Sequence, residues 1–538
     1  MLHPDQSAYS HYYMHGSKVE ATRIDRSYVF GGLVATECSY KSIAFSDHMA
    51  YVNKINLPSS MSHCLTPKFR PVYKITPVVA RDQTFQDRLA ISMQEWNEVR
   101  NFGVPVLLWW EQLVKPGVRK LALNRNRELN KERKSLLNLL TLRQSYLTRK
   151  LQKGSNVLEA LKRVHFQIEN WFLSEVEKIK HQARVDDIQI SEKVRIYHHE
   201  LHQKHIKKSS ILKLQHENMT FLGHQECMNY LQSKVSDLLE KEAQLDVAAQ
   251  EALLNDVGVS FSDSDNQLLT ALPTKEEVKE SVRTANDGAA PVSDGISNLV
   301  YHTCFNIIGD ALTDVIQAVF KGQRPTKSQR TSLMIFSAKP GKTTSLKPSD
   351  KRRISLLNTD FKIITGIEHL RYKKLLTHTL SPTQLAYGTD RRITSGICLA
   401  RDAINAAGKR KQGCAIADND FEAAFDFLCL NWVKKVLRKK GLCDEALQRF
   451  SNIYDGGITI PVVNNEQGRP ISNKRLSLRQ GDRPSGNWFC YGIDPLLVYL
   501  EKRLEGILIY STPISGPSNV GQPTLFLQQK SDTEYKAT

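Results

Sequence analysis

The chain has 538 residues, of which 41% are hydrophobic and 24% charged, a composition typical of folded proteins. This length exceeds what one hydrophobic core serves, so we expect two to four domains. The sequence contains no apolar run of about 18 residues, which excludes a membrane-spanning helix, and the net charge of +18 favours a polyanionic partner.

Nine scattered cysteines form no Cys-x-x-Cys pair, which indicates thiols in a reducing compartment and excludes a zinc knuckle. The amino terminus shows no signal-peptide pattern. We therefore expect an intracellular protein.

Residues 1–57 contain two strand-like runs, with Asp25 in the first and Asp47 and His48 in the second. The pattern resembles the last two strands of an apurinic/apyrimidinic-type endonuclease. The resemblance implies that His48 bonds Asp25 and contacts the scissile phosphate, with Asp47 beside the attacking water. The family's cation-binding Glu has no counterpart in this sequence, so we interpret the segment as a non-catalytic remnant. The alternative is that Asp25 and His48 are unrelated polar residues at strand ends.

Residues 58–98 are rich in Pro, Ser and Lys, which predicts a linker. A basic helical region follows over 99–270, with the helical pattern beginning near Asp87. Between Lys115 and Lys213 there are 23 Lys and Arg against 10 Asp and Glu. This excess indicates a nucleic-acid surface, and a solvated helix face is the alternative. A leucine stripe in the same region predicts packing on a domain in preference to a coiled coil.

Three histidines, His198, His202 and His205, share one predicted helical face. A structural zinc site would need a fourth ligand. Because lysines are interleaved with them, we favour a basic helix that faces phosphates.

The region 274–538 begins with a capping box at Thr274. Residues 333–342 predict a short apolar strand that enters a turn of Lys, Gly and Pro residues. A second strand that begins at Arg352 is predicted to pair with it. Cations on such a hairpin, Lys339 and Arg352, could hold a triphosphate, or they could be solvated charges.

The stretch 414–428 predicts a strand, a turn and a helix, with Asp420 at the end of the strand. A carboxylate in that position could hold a hard cation, or it could cap the helix. Downstream, Gln480 and Gly481 precede a predicted helix over 484–504. The glycine would permit close approach of the backbone to a ligand.

Together, the segments 351–358, 414–428 and 478–485 resemble the fingers and palm of the reverse transcriptase of a non-LTR (LINE-type) retrotransposon. The resemblance implies an α+β fold for 274–538, an RNA template, a DNA primer or target, and deoxynucleoside triphosphates. It also implies Mg²⁺ as the cofactor and a nuclear and cytoplasmic location. The roles that it implies are Asp420 as catalytic and metal-binding acid, Arg352 and Lys339 on the triphosphate, Phe425 as the gate beneath the sugar, and Gln480 and Gly481 against the nucleotide. Phe425 could instead be a core residue.

Two-metal nucleotidyl transfer requires further carboxylates beside Asp420, and the sequence has no Asp-Asp doublet after Gln480. We therefore expect this chain to be inactive as a polymerase. The alternative function is a non-catalytic nucleic-acid-binding fragment, and a third is a helical interaction protein. The oligomeric state is left open.

Overall fold

The structure is a computed structural model that describes residues 74–504, together with the backbone of four strands between residues 11 and 56. Within 74–504 it leaves out 154, 184–210, 241–245, 288–291, 389–390, 412–420, 422 and 475–476, and it describes the backbone alone at 152, 175–183 and 410. The chain divides into two compact units. One unit comprises Met1–Arg70 and Asn124–Lys208, and the other comprises Pro71–Leu123 and Ser209–Thr538.

The first unit contains two antiparallel strand pairs, in which β1 (His11–His15) pairs with β2 (Lys18–Thr22) and β3 (Val34–Ser42) pairs with β4 (Met49–Asn56). Asp25, Asp47 and His48 lie outside the described residues. The implied endonuclease contacts therefore stay predictions.

The same unit contains a helical hairpin formed by most of α4 (Lys115–Gln152) and by α5 (Leu158–Ala183). Its core is aliphatic and consists of Leu140, Leu147, Leu161, Val164 and Ile168. Leu140 and Leu147 of the predicted leucine stripe thus pack against α5. Leu136 and Leu139 of the same stripe are exposed.

The second unit starts with three helices, α1 (Pro77–Ala80), α2 (Gln83–Asn101) and α3 (Val106–Trp109), and a π-helical turn over Trp110–Val114 that leads into α4. Next come a β-hairpin and a further run of helices. The hairpin strands are β5 (Lys213–His216) and β6 (Met219–Leu222). The helices are α6 (His224–Leu239), α7 (Val247–Asn255), α8 (Asp263–Thr270), α9 (Lys275–Arg283), α10 (Asn298–Thr303), α11 (Phe305–Phe320) and α12 (Lys327–Arg330).

A sheet of five strands follows. Strand β7 (Thr331–Ala338) pairs antiparallel with β8 (Lys351–Leu357) and parallel with β9 (Ile458–Val463). The short strands β10 (Glu466–Gln467) and β11 (Ile471–Ser472) both pair with β9. Asn464 and Asn465 have φ values of 52° and 68°, which is the backbone that a tight hairpin turn requires.

Six further helices that the structure describes belong to the second unit. They are α13 (Thr359–Thr379), α14 (Ile393–Arg410), α15 (Ala424–Phe427), α16 (Leu430–Lys439), α17 (Asp444–Tyr454) and α18 (Ser485–Glu501). The largest fully buried side chains of α13 and α18 are four aromatic rings and one guanidinium group: Phe361, Tyr372, Trp488, Tyr491 and Arg371. None of the helices that the structure describes combines the length and apolarity that a bilayer crossing requires.

The structure confirms several local predictions. The capping box at Thr274 forms with Glu277, and the strand that contains Arg352 pairs with the strand that precedes Lys339. The mixture of helix and small sheets agrees with an α+β class.

Two sequence-based expectations differ from the structure. The predicted linker over 58–98 contains α1 and most of α2, because Thr76 and Asp82 cap these helices and apolar side chains such as Phe85 bury their inner faces. The helical region expected over 99–270 is wrong at 213–222, where alternating side chains form a β-hairpin around Glu217, whose φ is +53°.

Candidate functional site

Strand β8 and the turn that contains Gln480 and Gly481 are in direct contact. The amide of Ser355 donates a hydrogen bond to the carbonyl of Gln480 at 2.7 Å. Gly481 has φ +116°, and a Cβ at this position would lie 2.6 Å from the carbonyl oxygen of Ser355. Only glycine permits this approach of two backbone segments.

Arg352 lies on strand β8, three residues before Ser355. Successive side chains of a strand point to opposite faces, so Arg352 shares a face with Ile354, and Cγ2 of Ile354 lies 3.8 Å from the Cβ position at Gly481. Arg352 therefore shares a face of β8 with a residue that lies close to Gly481.

Arg353 points to the other face and joins β8 to the acidic stretch. Its Nε and Nη2 both donate to Oδ2 of Asp426, at 3.0 and 2.7 Å. The two side chains are 26% and 16% exposed, so this ion pair is partly shielded from water. Sequence reasoning did not single out Arg353, and the doubled arginine in the sequence was the available signal.

Phe425 precedes Asp426 on the short helix α15. Its ring stacks on Phe489 of α18, with ring centroids 5.3 Å apart and an interplanar angle of 20°. Phe425 thus packs on α18, and its neighbour Asp426 links the same short helix to β8. Phe425 is half-buried, and its role, as a core residue or as the gate implied by the resemblance, stays a prediction.

Lys339 follows β7 at the start of the loop that leads to β8. Its amide donates to the carbonyl of Asp350 at 2.9 Å. The Asp350 carboxylate accepts hydrogen bonds from Lys342 and Ser345 at 2.7 and 2.6 Å, and these bonds lower the pKa of Asp350. The loop between β7 and β8 is therefore closed around one ionised carboxylate.

The first turn of α18 is anchored by two charged residues next to Gly481. Asp482 is buried and accepts hydrogen bonds from the Thr365 hydroxyl at 2.7 Å and from the amide of Arg483 at 3.0 Å. Burial raises the pKa of Asp482, although the Thr365 hydrogen bond and the charge of Arg479 oppose this.

Asp420 lies outside the described residues, so its proximity to Arg352 and Gln480 stays a prediction. Within the described part of the chain, no group of three His, Cys, Asp or Glu could hold a metal ion. The metal site and the roles of the individual side chains stay predictions. The same holds for His198, His202 and His205, which also lie outside the described residues.

The fold defines a mixed helical and β protein in which the segments around residues 352, 426 and 481 meet. No protein-family model matches the chain. The chain is 22% identical over 526 residues to the "Transposon TX1 uncharacterized 149 kDa protein" of Xenopus laevis. The match covers 94% of this chain and 38% of the relative. This distant homologue supports a transposon origin for the chain.

Proposed function

We propose that the chain derives from the RNA-directed DNA polymerase of a non-LTR retrotransposon and carries the fingers and part of the palm. The proposal rests chiefly on one observation: the Gln480–Gly481 turn bonds the strand that carries Arg352, with 2.7 Å between the Ser355 nitrogen and the Gln480 oxygen. Residues more than a hundred positions apart thus meet at one place, as a nucleotide site requires.

In this proposal, Arg352 and Lys339 bind the triphosphate, Asp420 holds Mg²⁺, Phe425 excludes the ribose 2′-hydroxyl, and Gln480 and Gly481 contact the nucleotide. The partners are an RNA template, a DNA primer or target, and deoxynucleoside triphosphates, in the nucleus and cytoplasm. A guanidinium can bind phosphate oxygens with two parallel hydrogen bonds, which suits Arg352 to the triphosphate.

Binding of a fluorescent deoxynucleoside triphosphate to the purified chain tests the proposal. We expect Arg352→Met to weaken binding about tenfold or more, as loss of a charge-assisted hydrogen bond does. Arg401→Met is the matched control, because Arg401 is an exposed arginine of α14 whose side chain is 68% accessible. Equal affinity of the two variants would contradict the assignment of Arg352.

A primer-extension assay with Mg²⁺ tests activity separately. We expect no templated synthesis by the 538 residues alone, because Asp420 has no Asp-Asp doublet after Gln480 to complete a two-metal site. Synthesis by wild type that is lost in Asp420→Asn would refute this expectation and would support the polymerase assignment.

A second candidate function is nucleic-acid binding by the helical hairpin of the first unit. Arg127, Lys131 and Lys134 line one shallow depression on α4, beside Asn130 and Asn138. Their spacing puts three cations on one helical face, and phosphates of a strand are the ligands that such a row fits.

Salt dependence of binding distinguishes this surface from a merely solvated one. For a single strand, replacing all three cations with Gln should reduce the slope of log affinity against log salt by about 2. An unchanged slope would exclude this surface, whereas nucleotide binding at Arg352 would be unaffected by that result.

A further inference from the structure

Three arginines converge on the double-glycine turn that precedes β9. At Gly456, a Cβ would lie 2.0 Å from Nη2 of Arg324 and 2.8 Å from Nη1 of Arg330. At Gly457, a Cβ would lie 1.9 Å from Nη2 of Arg479. The two glycines therefore leave the space that the three guanidinium groups occupy.

The hydrogen bonds that hold these arginines go to neutral carbonyl groups. Arg330 donates to the carbonyls of Pro325 and Gly456 at 2.9 and 2.6 Å, and Arg479 donates to the carbonyl of Arg330 at 3.3 Å. Within the described part of the chain, no carboxylate forms an ion pair with Arg324, Arg330 or Arg479. The charge of the buried Asp482 acts on Arg479 without an ion pair between them, so among the described residues the three positive charges have no anion in direct contact.

Electrostatics and burial agree with this crowding. Burial lowers the pKa of Arg330, and the charges of Arg324 and Arg479 lower it further. Arg479 is only 5% exposed, and its Nη1 has no hydrogen-bond partner among the described residues. A buried donor without a partner carries a desolvation cost, which an anion next to it would offset.

We propose that Arg324, Arg330 and Arg479 form a phosphate-binding site at the Gly456–Gly457 turn. Guanidinium groups bind phosphate oxygens through charge-assisted hydrogen bonds. Arg324 is exposed and Arg330 is half-buried, so a phosphate can reach the cluster from solvent. The phosphate belongs to a nucleic-acid strand, an assignment that rests on the proposed function, or it is free phosphate, which has the same chemistry.

The first test is a titration of the full chain with inorganic phosphate at constant ionic strength, followed by thermal unfolding. A ligand that binds the folded state raises the midpoint. We expect Arg324→Met to weaken phosphate binding about tenfold or more. Lys321→Met, an exposed cation of the same loop, should leave phosphate binding within about twofold, since surface charges that make no contact contribute little. Equal effects of both variants, or no stabilisation of the wild type by phosphate, would overturn the proposal.

The second test identifies the source of the phosphate. If a short RNA oligonucleotide displaces phosphate from the wild type, and Arg324→Met weakens RNA binding, the ligand is a nucleic-acid backbone. If RNA does not compete while phosphate binding still depends on Arg324, the site binds free phosphate. Neither result depends on triphosphate binding at Arg352, so failure of this proposal and failure of the proposed function are distinguishable.

Discussion

Replacing Lys115 with Met tests the most strongly charged contact in the core. Lys115 is 5% exposed, and its Nζ lies 2.9 Å from Oδ2 of Asp294 and 3.1 Å from Oδ2 of Asp360. Burial alone would lower the pKa of Lys115, but the carboxylates of Asp360, Asp294 and Glu111 outweigh it and raise the pKa above its ordinary value. Lys115 is therefore charged in the folded protein at any pH at which the protein is handled.

The expected loss of stability follows from the groups that remain. Methionine fills a similar volume, but it leaves Asp360, whose side chain is 0% exposed, without its cation. Trp110 and Gln329 still donate to Asp360, at 3.2 and 3.0 Å, and these neutral donors compensate the charge only in part. Removing one partner of a buried ion pair costs about 3–5 kcal/mol. With an m-value of about 2–3 kcal/mol per M, the urea midpoint should fall by about 1–2.5 M.

Urea unfolding followed by tryptophan fluorescence measures this loss, because Trp109 and Trp110 are buried beside the ion pair, at 1% and 2% exposure. Lys120→Met is the matched control, since Lys120 is an exposed lysine on the same helix. Adding Asp360→Asn to Lys115→Met should recover part of the loss by removing the uncompensated charge. If Lys115→Met and Lys120→Met unfold within about 0.5 kcal/mol of each other, the ion pair does not stabilise the fold.

Three further predictions concern the contacts around β8 and α18. Gly481→Ala should destabilise the protein by about 1–3 kcal/mol through backbone strain. Gly258→Ala is the control and should not destabilise it, because an added Cβ there meets nothing within 4 Å. Equal urea midpoints of the two variants would contradict this prediction. A double-mutant cycle on Arg353 and Asp426 should give a coupling of about 1 kcal/mol, and a coupling near zero would mean that the ion pair holds nothing in place. Burial, with the charges of Arg483 and Lys373, lowers the pKa of His369 to about 4. The unfolded state therefore binds more protons than the folded state between about pH 6.5 and pH 4, so stability falls by about 3 kcal/mol on acidification across that window. His369→Gln should lose this part of the pH dependence, and an unchanged profile in urea titrations would exclude it.

Local signals in the sequence were sufficient for elements whose causes are local. The capping box at Thr274 is readable because its two partners are three residues apart. The β7–β8 hairpin is readable because the apolar run of β7 enters a turn of Lys, Pro and Gly residues. The helices inside 58–98 were missed, because their stability comes from apolar side chains such as Phe85 and Met93 that pack on distant parts of the chain. The composition of such a segment reflects its polar, exposed face and does not indicate the distant residues against which its apolar face packs.

For the candidate site, the sequence predicted which segments matter but not how they connect. The residues Arg352, Gln480 and Gly481 were chosen through a resemblance, and the structure adds the backbone contact at Ser355. The Arg353–Asp426 ion pair spans 73 positions in the chain. Periodic patterns in a sequence indicate contacts between residues a few positions apart, and they do not indicate a contact at this separation.

Arg483 shows how a charged side chain beside a buried carboxylate is accommodated by a distant part of the chain. A guanidinium group beside the buried Asp482 would carry a desolvation cost if it found no hydrogen-bond partner. In this chain, the Arg483 guanidinium donates to the carbonyl of Ser281 at 2.9 Å and to the hydroxyl of Thr284 at 2.8 Å. It reaches them across Gly366, where a Cβ would lie 2.5 Å from Nη1 of Arg483. The long side chain therefore ties the segment before α18 to the C-terminal end of α9 through a gap that only glycine leaves open, so an arginine at 483 is compatible with the fold on which the proposed nucleotide site depends.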